Sequence, residues 1–189
     1  MRKGISIFTL FTLCLTLALL APTLCGCRTD PAPPEVLSDA FCATLEGSCN
    51  GSPFRATLTA AAADGGKGRE ATLTFYAPEA LCGTTLTRTG EGEVSLSFTG
   101  EAPVPALTLG ANAAKPFLPL LELLEVSPLM QGTWEKGGES STACDGITMP
   151  ERVFLLRDGE RRILLSEDGI PLCAENSTAC VKVTDFTPS

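Results

Sequence analysis

After residue 50 apolar and polar residues alternate with a period of two, and turn-forming residues bound each run. Phe54, Ala56, Leu58 and Ala60 alternate with Arg55, Thr57 and Thr59. Ala71, Leu73, Phe75 and Ala77 alternate with Thr72, Thr74 and Tyr76, and Val94, Leu96 and Phe98 with Ser95, Ser97 and Thr99. Successive side chains of a strand point to opposite faces, so each run predicts a half-buried strand. The intervening ADGGKG, APEALCG and TGEGE are turn or loop chemistry. In the C-terminal third, RVFLLRDGERRILLSEDGIPLC places Asp158-Gly159 and Asp168-Gly169 between apolar segments. Asp-Gly suits the type I′ turn, so strands near 151–157, 161–167, 170–174 and 180–186 are expected to form an antiparallel meander.

One segment breaks this pattern. KPFLPLLELLEV, residues 115–126, carries Phe117, Leu120, Leu121 and Leu124 at helical spacing, with Pro116 and Pro119 in the opening turn. Glu122 and Glu125 are its only acidic residues, so this predicted helix is apolar around most of its circumference and needs cover on several sides. A twisted sheet curling around it would supply that cover and hide its own apolar face. Residues 35–46 fit both periods: Val36, Leu37, Ala40, Phe41 and Leu45 form a helical stripe, and Phe41, Ala43 and Leu45 alternate. The strand is preferred. The prediction is an α+β domain over residues 38–189, a curved antiparallel sheet around one or two helices.

The first 26 residues have a short basic start (Arg2, Lys3), a long uncharged apolar run and a small residue at the boundary, the layout of an export signal. Leu24-Cys25-Gly26-Cys27 resembles the lipobox of bacterial lipoproteins. The resemblance implies cleavage before Cys27, a diacylglycerol thioether on that thiol and further acylation such as palmitate at the new amino terminus. An uncleaved signal anchor is the competing reading, because the uncharged run is long enough to span a bilayer. Several acyl chains give stable anchoring where one holds only marginally. Residues 27–37, including RTDPAPPEV, are Pro-rich and read as an extended tether. The expected location is the extracytoplasmic face of the cell membrane.

Charge and composition narrow the function. Beyond residue 26 the chain has 12 basic and 22 acidic residues, a net −10, which repels nucleic acid and anionic headgroups. Histidine is absent, removing the usual general base and the commonest zinc ligand. No phosphate loop, nucleophile elbow or metal-ligand spacing is present: GGKG at 65–68 lacks the following Ser or Thr and reads as a hairpin turn. Neither catalysis nor a cofactor is expected. Nine cysteines without a C-x-x-C suggest an exported chain with disulfides. Cys173 and Cys180 flank AENSTA and could pair across a hairpin, Cys42 and Cys49 have the same separation although Gly47 and Gly51 place Cys49 in a turn, and Cys82 and Cys144 sit in loops and could join distant parts; the alternatives are free thiols in a reducing habitat or a bridge between two chains. Six cysteines allow 15 pairings, which sequence leaves open.

The leader, the tether and the order PFRATL, ATLTFYAPEALCG, EVSLSF, apolar helix, terminal meander resemble the small lipoproteins of the LolA/LolB-like superfamily of anaerobic Firmicutes. The strand followed by Pro78-Glu79-Ala80-Leu81-Cys82-Gly83 carries most of the likeness. The resemblance implies a β half-barrel whose concave apolar side is covered by helices and receives acyl chains of lipids or lipoproteins. Leu73, Phe75, Leu96, Phe98, Phe117, Leu120, Leu121, Leu124 and Trp134 are then the expected ligand contacts, although the same side chains also suit an ordinary core. The expected function is non-catalytic binding of an apolar ligand or lipidated client. The alternative is an envelope protein–protein interaction module with a closed, fully packed core.

Overall fold

The computed structural model describes residues 37–62, 68–99, 106–126, 129–137, 147 and 149–189. The leader, Cys27, most of the tether, Cys144 and most of the GGKG turn lie outside them. The described residues belong to one unit, Ala32–Ser189. They form eleven strands: β1 (Phe41–Cys49), β2 (Ser52–Ala60), β3 (Ala71–Ala77), β4 (Thr84–Arg88), β5 (Val94–Phe98), β6 (Leu107–Leu109), β7 (Gln131–Lys136), β8 (Arg152–Asp158), β9 (Arg161–Leu165), β10 (Pro171–Glu175) and β11 (Ala179–Pro188). All join one open sheet in the order β6-β5-β4-β3-β2-β1-β11-β10-β9-β8-β7, and every pairing is antiparallel. Two meanders therefore meet where β1 pairs with β11 at the centre. Gly47 lies in that seam, where an added Cβ would stand 2.1 Å from the Cys180 carbonyl oxygen.

The alternating strands appear where the period predicts them. Their apolar positions Phe41, Ala43, Leu45, Ala56, Leu58, Leu73, Leu86, Ile163, Leu165 and Val181 form one core on the inner face. On the outer face the N-terminal half presents hydroxyls, with Thr72 facing Thr87 and Thr74 facing Thr85. The C-terminal half is buried on both sides, because Val153, Leu155, Leu164 and Cys173 make a second cluster beneath Ile147 and Met149. Continuous apolar runs such as VFLL are the signature of strands covered on both faces.

The turns differ from expectation in type. Residues Asp158 and Arg161 face each other, so the loop is Gly159-Glu160 and only Gly159 has positive φ, at 58°. That is the pattern of a II′ turn, with glycine first, and not the expected I′ turn centred on Asp-Gly. The second turn closes through the Gly169 amide donating to the Ser166 carbonyl at 3.0 Å, with Gly169 at φ 79°. A I′ turn does occur at Asn50-Gly51, with φ values of 50° and 77°, joining β1 to β2 through the dipeptide most suited to it.

The single helix expected over 115–126 is replaced by two one-turn helices, α1 (Ala111–Ala114) and α2 (Leu118–Leu121), followed by turns. Pro116 and Pro119 explain the break. Each lacks an N–H, so the bonds from 116 to 112 and from 119 to 115 cannot form and the ladder stops after the Lys115 amide's bond to the Ala111 carbonyl, although Lys115 itself keeps helical backbone. The Phe117 amide instead donates to the Ala114 carbonyl at 2.9 Å, and a new turn begins from the Phe117 carbonyl.

Candidate binding site

The short helical segment lies against the inner face, and its contacts reveal how the sheet is shaped. Arg88 of β4 donates to Glu122 Oε1 at 3.0 Å and to Glu125 Oε2 at 2.9 Å. Arg161 of β9 donates to the Glu122 carbonyl at 3.2 Å. β4 and β9 are six places apart in the sheet, about 29 Å in a flat one. That is more than two arginine side chains can bridge. The sheet must curl for both to reach one residue, and residues 111–126 form a strap across the hollow. A third clamp is Asn176, whose amide donates to the Pro119 carbonyl at 2.9 Å.

Beneath the strap, Leu120, Leu121, Leu123 and Leu124 are buried among the inner positions of the sheet. Apolar burial of four leucines is worth roughly 6–12 kcal/mol as an upper bound, and polar clamps hold the strap's rim.

Arg88 and Arg69 form the polar border of this core. Arg88 also donates to the Arg69 carbonyl at 3.1 Å. The Arg69 guanidinium donates to the carbonyls of Ala61, Leu37 and Asp39 and lies over the Phe41 ring, 4.6 Å from its centroid. Burial lowers its pKa from the ordinary arginine value; Glu125 pulls it back up, and neighbouring Arg88 pushes it down. Satisfied on every side, Arg69 ties the start of the domain to the end of β2.

The nine side chains read as a ligand lining separate into three groups. Leu73, Phe75, Leu120, Leu121 and Leu124 are buried in the core. Leu96, Phe117 and Trp134 are half-buried and pack against it. Phe98 stands at the end of β5 and is 51% exposed. Leu107 of β6, a position the sequence reading missed, pairs with Leu96 and is 60% exposed. The two form an apolar lip where the inner face reaches the sheet edge. Trp134 lies at the other edge, edge-on to Phe154 at 4.9 Å, with the Arg152 guanidinium 4.7 Å from its ring centroid.

Arg88 was also missed, although a signal existed: it occupies an inward position in TTLTR, where the alternation calls for an apolar residue. Arg161 and Asn176 gave no such signal.

The expected disulfides fare unevenly. Cys42 and Cys49 share β1, seven residues apart, which at about 3.3 Å per residue is far beyond disulfide reach. That pairing is ruled out. Cys173 faces Lys182 and Cys180 faces Glu175. The two cysteines are thus diagonal neighbours, about 7–8 Å apart and outside the usual span. Cys82 is an exposed thiol, and its suggested partner Cys144 is outside the described residues.

No family model and no curated relative matches the chain. Solved structures give distant likenesses. A domain described as an outer membrane lipoprotein-sorting protein from Vibrio parahaemolyticus is 12% identical with a TM-score of 0.45, covering 84% of this chain and 88% of that one. MucB is 14% identical with a TM-score of 0.47, covering 82% of this chain and 57% of MucB. A LolA superfamily protein, NE2245 from Nitrosomonas europaea, is 9% identical with a TM-score of 0.36, covering 80% of this chain and 87% of that one.

Proposed function

We propose that the chain is a lipid-anchored, non-catalytic envelope protein that lodges an apolar chain, from a lipid or a lipidated client, against the inner face of its curled sheet. The anchor is Cys27, read from the Leu24-Cys25-Gly26-Cys27 motif, and it places the domain on the extracytoplasmic face of the cell membrane. The observation that carries the binding reading is the apolar lip of Phe98 and Leu107, exposed at the edge of an otherwise buried surface. Large apolar residues exposed together on one face, rather than scattered singly, are the usual mark of an interaction site.

Energetics permit exchange of the strap for a ligand. Each buried CH₂ is worth about 0.8 kcal/mol, so a chain of about 14 methylenes contributes roughly 11 kcal/mol. That is comparable to the upper bound for the four strap leucines. A long acyl chain entering at the lip can therefore displace them at little net cost, the polar clamps setting the barrier.

Lipid extraction tests the reading. Full-length chain carrying Cys27→Ser, so that anchor lipid is not counted, is extracted with organic solvent and analysed by mass spectrometry. Bound lipid is expected, with loss of it in Phe98→Asp. Protein that carries no lipid and takes up no fluorescent fatty acid refutes it. Leu123 and Leu124, both fully buried, favour the second reading in that event: a permanently packed core, with the lip serving a partner protein. The anchor is tested apart from this, by palmitate labelling that Cys27→Ser should abolish.

A further inference from the structure

A separate concavity lies on the outer face. There Glu46 of β1 is the cross-strand partner of Arg55 on β2 and of Lys182 on β11, so three charged side chains stand in a row across the centre of the sheet. With Pro53, Ala77 and Pro78 they bound a groove of about 590 Å³, a size typical of small-molecule sites. The sheet separates it from the inner core, into which the Phe54 side chain turns.

The charge arrangement selects the ligand. The row holds two cations and one carboxylate, against a net −10 for the chain beyond residue 26. Lys182 and Glu46 are 3.4 Å apart, with side chains 34% and 49% exposed. So exposed a pair contributes little, and the ammonium remains open to a competing anion. Arg55 is exposed and makes no ion pair among the described residues. Its planar fork matches a carboxylate bidentately. Pro53, Ala77 and Pro78 offer an apolar wall with no competing charge.

The geometry points to a second binding site, on the outer face, for a small monocarboxylate with an apolar body, clasped between Arg55 and Lys182 and weakened by Glu46. It does not depend on the inner-face reading.

Calorimetric titration of the full-length chain with 4-phenylbutyrate and with 4-phenylbutanol, which share a skeleton and differ in charge, tests it. The acid is expected to bind at least about tenfold more tightly than the alcohol, and less so as salt rises. Arg55→Gln should weaken the acid by about tenfold or more, the loss of a charge-assisted hydrogen bond. Glu46→Gln should strengthen it several-fold by freeing Lys182. Both positions are exposed, so neither change should unfold the protein. Phe98→Asp, which disables the proposed inner site, should leave phenylbutyrate binding as it was. Equal binding of acid and alcohol, indifference to Arg55→Gln, or loss of the acid in Phe98→Asp would each overturn the inference. So would an absence of heat with the acid at millimolar concentration.

Discussion

Arg88 is predicted to be the principal lock of the strap. Its guanidinium is buried and serves three acceptors: Glu122 and Glu125 on the strap and the Arg69 carbonyl on the sheet. Arg88→Met keeps an unbranched side chain in the same space and removes all three donors. Breaking a fully buried ion pair from one side costs about 3–5 kcal/mol. Here the carboxylates keep 41% and 29% exposure, so water recovers part of the loss, and about 2–3 kcal/mol should remain. Urea unfolding followed by circular dichroism and Trp134 fluorescence reads it. With a slope of about 2 kcal/mol/M the midpoint should fall by about 1–1.5 M. Because much of the loss comes from stranded carboxylates, the triple variant Arg88→Met, Glu122→Gln, Glu125→Gln should recover about half of it. Arg88→Lys, which cannot fork between two carboxylates, should fall between wild type and Arg88→Met. A loss below about 0.5 kcal/mol in Arg88→Met, or a triple variant as unstable as the sum of its parts, would show that Arg88 is not what locks the strap.

Three further outcomes follow from particular residues. Gly47→Ala should destabilise by about 1–3 kcal/mol in urea, because the new Cβ would lie 2.1 Å from the Cys180 oxygen and 2.7 Å from the Val181 Cα in the central seam; a neutral effect would mean that β1 and β11 are less closely apposed. Leu123→Ala, which empties a fully buried position under the strap, should cost about 2–5 kcal/mol in the same assay, and a loss under about 1 kcal/mol would show that the strap packs loosely. Iodoacetamide mapping at pH 8 should alkylate exposed Cys82 first, Cys49 more slowly and buried Cys173 last: burial raises the Cys49 pKa, which lowers its thiolate fraction at any given pH, so equal rates at Cys49 and Cys82 would refute that ordering.

Much of the sheet could be read in advance, and the reasons are local. β2, β3 and β5 announce themselves by alternation, and the Asp-Gly dipeptides mark the C-terminal hairpins. β4 was harder to see, because TTLTR has a single large apolar residue and an inward arginine where a strand pattern expects another. The turn after β1 is legible from Gly47 and Gly51, but these place Cys49 inside it, whereas Cys49 ends β1 and the reversal falls on Asn50-Gly51. The long helix failed for the opposite reason. Its leucines have helical spacing, but two prolines in its first five residues interrupt the ladder.

Alternation, turn dipeptides and the apolar leucines of the strap are properties of neighbouring residues, and they determined which segments become strands, where the chain reverses and which faces turn inward. Pairing β1 with β11 joins residues 130 or more positions apart, and curling the sheet until Arg88 and Arg161 reach the same glutamate depends on five intervening strands. Only the folded chain decides such things. The energies that choose among long-range arrangements come from contacts between segments, and a pattern repeating every two residues holds no record of which strand will lie beside which.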